Sequence, residues 1–101
     1  MNHPKRHAVF ERASLGTTSS QILAPSSARC SLLLTPHATV TYALRDRPLS
    51  TLTDGLIVTP DGGPVLLRCE DFGDMLCHAW HGVANAAIDV SLLVGYVEQD
   101  G

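Results

Sequence analysis

The sequence predicts an all-β protein: a single antiparallel β-sandwich, jelly-roll-like or Ig-like, with an extended N-terminal arm. Three observations lead there. Prolines at positions 4, 25, 36, 48 and 60 cut the first part of the chain into segments of 10 to 20 residues, and a sixth follows at 64. Each bars the interior of a long helix. Asp54-Gly55 and Asp61-Gly62-Gly63 supply turn chemistry, because Asp and Gly accept the positive φ of tight turns. Ile88, Val90, Leu92, Val94 and Tyr96 recur at spacing two near the end of the chain. That is the period of a strand.

At 101 residues the chain has room for one core. It is 45% hydrophobic and 17% charged, too apolar and too weakly charged for a disordered polymer. The formal charge of −3 argues against a nucleic-acid partner, which draws a basic surface. Apolar runs are a few residues long, far short of the ~20 that cross a bilayer, so no membrane partner is expected. The opening residues show no apolar leader with a small-residue cleavage site, so no secretory signal is expected. Three cysteines, Cys30, Cys69 and Cys77, are odd in number and irregular in spacing, and read as small core hydrophobes rather than a disulfide framework.

Residues 1–13 (MNHPKRHAVFERA) have no clean period and read as the arm, with the sandwich domain over 14–101. The first strand is expected within 17–24 and ends at Pro25. Arg29 to Thr35 is a nearly continuous apolar run, consistent with burial on both faces or at a sheet centre. Thr39 to Leu44 alternates, with Val40, Tyr42 and Leu44 on one face. Leu56 to Thr59 and Val65 to Cys69 are short strands on either side of Asp61-Gly62-Gly63, which reads as a hairpin turn. Residues 71–87 fit two patterns. A helix would align Leu76, Trp80, Val83, Ala84 and Ala87, but Gly73 and Gly82 weaken it, and a strand is favoured. Ile88 to Val97 forms the last strand.

Charge is uneven: residues 1–29 sum to +3 and residues from 60 onward to −6. Two solvated regions are the simpler account, and head-to-tail attraction between copies, or docking of the arm on an acidic neighbour, is the sharper one. Cys69, Cys77, His78 and His81 are the right ligand types for zinc, but the paired Cys-x-x-Cys start is absent. They are a weak alternative metal site, and no metal or other cofactor is expected. No Gly-x-Ser-x-Gly elbow or phosphate loop occurs, so no catalytic residues are assigned and the chain does not read as an enzyme.

The order of segments carries a resemblance. Ser20-Gln21-Ile22-Leu23-Ala24-Pro25, Arg29-Cys30-Ser31-Leu32-Leu33-Leu34 and Val40-Thr41-Tyr42-Ala43-Leu44 are followed by Gly55-Leu56-Ile57-Val58, Gly62-Gly63-Pro64, Trp80 and the strand from Ile88 to Glu98. This succession resembles small β-sandwich proteins of tailed-phage virions, across roughly residues 17–98. Thr35-Pro36-His37 departs from it, standing where that pattern has Asn. The resemblance implies a cement or decoration protein on the capsid exterior, made in the host cytoplasm, with the major capsid protein as partner. Other virion modules, such as a head-fibre base, an adaptor or a tail component, are the alternative. Within this reading the arm would meet the shell through Lys5, Arg6 and Arg12, with Phe10 as apolar anchor. Self-association is expected because small sandwiches expose sheet edges, with a trimer first and a dimer second.

Overall fold

A computed structural model describes residues 5–98 of the chain. Eight strands follow in order: β1 Lys5–Leu15, β2 Ser20–Leu23, β3 Arg29–Leu34, β4 Tyr42–Arg45, β5 Leu56–Val58, β6 Val65–Arg68, β7 Trp80–Ala84 and β8 Ile88–Glu98. They form two four-stranded antiparallel sheets, β1-β8-β3-β6 and β2-β7-β4-β5, here called sheets A and B. Odd and even neighbours interleave, so that β1 and β8, the first and last strands, lie side by side in sheet A while β2 and β7 do so in sheet B. That nesting is the jelly-roll order, and it decides between the two sandwich types expected from sequence.

Strand period explains the core. Leu32 and Leu34 of β3, Tyr42 and Leu44 of β4, Leu92 and Val94 of β8 all point between the sheets and are fully buried. Trp80 on β7 and Leu76 join them. Tyr42 Oη donates to the Thr35 carbonyl oxygen, which meets the polar tip of an otherwise apolar position, and burial pushes its pKa up to about 12. Gly82 is required by closeness: a Cβ there would meet the Leu15 and Leu44 methyls at 2.5 and 2.6 Å.

Three expectations change. The leading segment is extended, but from Lys5 onward it is an edge strand in register with β8 along its whole length, from Lys5 opposite Glu98 to Leu15 opposite Ile88. A domain boundary at residue 13 therefore runs through a strand. Ala13 and Leu15 sit in the core, whereas Glu11 interrupts the inward-facing series, which is why the sequence shows no clean period there. Asp61-Gly62-Gly63, with Gly63 at φ 77°, is a turn but not a hairpin: it carries the chain from β5 in sheet B to β6 in sheet A. Finally, 71–87 is not one strand. Cys69–Phe72 makes a single α-turn (α1), Gly73–Cys77 a 3-10 turn, and the strand begins only at Trp80. Gly73 at φ 61° ends α1. Leu76 is drawn into the core by this coiling, and the strand expected over this stretch is confined to its later part.

Arg29 holds that coil in place. It is 3% exposed, and its Nη1 donates to the carbonyls of Leu76 (3.0 Å) and His78 (2.9 Å) while Nη2 donates to Ala24. One guanidinium thus ties β3 to the segment after β2 and to the end of the 3-10 turn.

The outer faces of the sheets differ. On sheet B, the loop between β4 and β5 folds back so that Leu49 and Leu52 cover Ala43 and Val83. Asp54 pins this loop, taking 2.7 Å and 3.2 Å hydrogen bonds from Arg45 Nη1 and the Ser50 backbone N–H. The Ser50 N–H, with the Arg45 guanidinium beside it, holds the Asp54 carboxyl below the usual carboxylate range.

Candidate interaction surface on sheet A

The outer face of sheet A is built by the alternate residues that the core does not use. On β1 these are Arg6, Ala8, Phe10, Arg12 and Ser14, paired across β8 with Val97, Gly95, Leu93, Ser91 and Asp89. Leu93 is opposite Leu33 of β3, and Leu33 is opposite Leu66 of β6. Phe10, Leu93, Leu33 and Leu66 therefore form one apolar row that crosses all four strands of the sheet. Phe10 is 76% exposed and Leu66 54%, with Leu93 and Leu33 half-buried between them. A single exposed apolar side chain needs no explanation, but a contiguous row does.

Beside this row lies a second row of small residues, Ala8, Gly95 and Ser31, ending in Arg68. A Cβ at Gly95 would meet Ser31 Oγ and force that hydroxyl to turn away, so the glycine keeps the floor low. The result is a shallow open trough of about 440 Å³, walled by Arg6, Leu66, Arg68 and Glu70. His7 stacks on Tyr96 at its end, with ring centroids 5.4 Å apart. Arg68 Nε is 3.1 Å from Asp71 Oδ2, which fixes the direction of the wall. At the opposite end of the face, Ser14 Oγ donates to Asp89 Oδ1 at 2.7 Å.

Of the contact residues expected from sequence, Arg6, Phe10 and Arg12 are brought to this one face by strand alternation. Lys5 begins β1, and its side chain lies outside the described residues. Sequence reasoning missed Leu33, Leu66 and Leu93. The signal was present in Leu32-Leu33-Leu34 and Leu92-Leu93-Val94, runs in which both faces of a strand are apolar.

The metal alternative is dispersed. Cys69 Sγ donates to Glu70 Oε1 at 3.3 Å, and that carboxylate pushes the thiol pKa up. Cys77 Sγ points at the carbonyls of Ser27 and Arg29, at 3.8 and 3.7 Å. His78 Nδ1 meets Asp46 Oδ2 at 3.0 Å, and His81 lies on β7 opposite Arg45, with a buried Nδ1 that has no partner. Among the described residues, no three of His, Cys, Asp and Glu come together as a metal site would need.

No family model matches this chain, and no curated protein matches it. Among solved structures, a chain from the work titled "Bacillus endospore appendages form a novel family of disulfide-linked pili" is similar in fold, with a TM-score of 0.58 over 100% of this chain and 92% of that one, at 11% identity. At that identity the likeness concerns the fold alone, a small all-β sandwich.

Proposed function

We propose that this chain is a structural protein of a multi-subunit particle, without enzymatic activity, and of the type that cements or decorates a phage capsid. The observation that carries the reading is the outer face of sheet A, where Arg6, Phe10 and Arg12 stand together on a rigid, paired strand beside a row of exposed leucines. Such a face works by packing against protein, with no chemistry required of it. A cement protein needs this kind of preformed surface, because each contact is repeated at many symmetry-related positions and every ordering cost is repeated with it. The order of segments that resembles virion sandwiches supplies the specific role. The test is co-sedimentation of the purified protein with particles that lack it. Saturable binding supports the proposal, and protein left wholly in the supernatant refutes it.

A filament subunit is the second reading, favoured by the full-length likeness to a chain from disulfide-linked pili. Cys30, Cys69 and Cys77 are free and half-buried here. Electron microscopy of concentrated protein, with and without reductant, separates the two: filaments support the second reading and discrete oligomers the first.

A further inference from the structure

We infer that the outer face of sheet A is a self-association face, and that its occupant is the same face of a second copy, related by a two-fold axis lying along the row Phe10–Leu93–Leu33–Leu66. This goes beyond the structural reading above and competes with it for one face: a second copy covers the face here, and a dimer would meet a particle through its other surfaces. The two sheets differ in how their outer faces are covered. Sheet B has Ala43 and Val83 of its outer face covered by the chain's own Leu49 and Leu52, which leaves Ile57, opposite Ala43, as its one exposed large apolar residue among the described residues. Sheet A has a longer apolar row, and among the described residues Phe10 stays 76% and Leu66 54% exposed.

Register then tests which partner fits. A two-fold axis along the row lays each strand of one copy over the same strand of the other, with its direction reversed. Phe10 and the leucines meet their own kind on the axis. Arg6, four residues before Phe10, comes over Ser14, four residues after it, and Ser14 is bonded to Asp89. Each Arg6 therefore faces the partner's Asp89 carboxylate, twice per dimer. Arg12 comes over Ala8, whose side chain is small, and Arg68 lies over the loop that precedes β6, so no like charges are opposed. The surface is complementary to itself, which is what a two-fold contact requires.

Its size is adequate. Four strands at ~4.8 Å and eight residues of rise at ~3.4 Å make about 500 Å² per copy, on the order of 1,000 Å² in total, where specific interfaces begin. Two sheets meeting this way pack at an aligned angle of about 30° through their natural twist. A two-fold face closes at two copies, in place of the trimer first expected from sequence.

The experiment is light scattering and sedimentation equilibrium of the purified full chain, with no particle present. The expected result is a dimer, twice the 10.8 kDa of the chain. Phe10→Asp and Leu66→Asp, at exposed positions that leave the core alone, should each give a folded monomer by circular dichroism. Arg6→Asp should weaken self-affinity roughly tenfold, and Arg6→Asp combined with Asp89→Arg should restore it. A monomer at every concentration, a trimer, or a dimer indifferent to Phe10→Asp overturns the inference. If a monomer still co-sediments with particles, the face belongs to the shell: this inference fails and the cement reading stands. A dimer that ignores particles does the reverse.

Discussion

Arg29→Met removes the one charged group buried among the described residues, and its cost can be worked from the hydrogen bonds it makes. The guanidinium donates to the carbonyls of Ala24, Leu76 and His78. Methionine has comparable reach and no donors, so three carbonyls lose their partner. An unpaired buried acceptor costs ~1–3 kcal/mol, and the lower figure applies where water has partial access. Removing a desolvated charge returns some of this. A net loss of about 3 kcal/mol follows, and for a domain of this size each kcal/mol lowers Tm by ~4–8 °C. The expected fall in Tm is roughly 15 °C, measured by scanning calorimetry at neutral pH. Because Arg29 secures the 3-10 turn after α1, amide exchange in 73–78 should accelerate more than in β8. A fall under about 5 °C, with exchange in 73–78 unchanged, would refute the assignment of Arg29 as the tie between β3 and that turn.

Other expectations follow from the same packing. Leu92→Ala, at a fully buried position beside Leu34 in the core, should cost ~3–5 kcal/mol in urea denaturation at constant m-value. Tyr42 titrates near 12 in the folded chain against an ordinary value of 10.0, so its contribution is full below pH 10 and is lost as pH rises toward 12. Tyr42→Phe should flatten that alkaline decline, read from denaturation midpoints between pH 8 and 11.5. Asp54 is held below its ordinary 3.8, so its contribution is present above that pH and is lost as pH falls through the lower folded value. Asp54→Asn should remove that acid-side slope. Dialysis against zinc followed by metal analysis should leave no stoichiometric metal on the folded chain, whether Cys77 is present or changed to Ser, because Cys69, Cys77 and His78 are held by separate partners and His81 does not converge with them.

The legible parts of the fold were those set by local alternation. Tyr42 and Leu44, or Val90, Leu92 and Val94, announce their buried face two residues at a time, and the strands that contain them fall within a few residues of where the pattern places them. The choice between jelly-roll and Ig-like order was not legible, because it depends on which distant strands pair, and Lys5–Leu15 gives no local hint that it lies against Ile88–Glu98. The coil over 69–77 escaped for a different reason. Leu76 and Trp80 satisfy both periods, and the deciding contact is Arg29, 47 residues from Leu76 in sequence. The candidate face on sheet A was half visible: Arg6, Phe10 and Arg12 were singled out by type, whereas Leu33 and Leu93 look like core residues until register places them on the other side of the sheet.

The central claim is that the protein strengthens a particle by binding its assembled form, and the rupture temperature of the particle measures that most directly. Particles lacking the protein are titrated with it and heated, with rupture followed by release of their contents. A ligand of the assembled state stabilises it by mass action, so the account predicts a rupture temperature that rises with protein concentration and saturates. A rupture temperature that stays flat at saturating protein would contradict it.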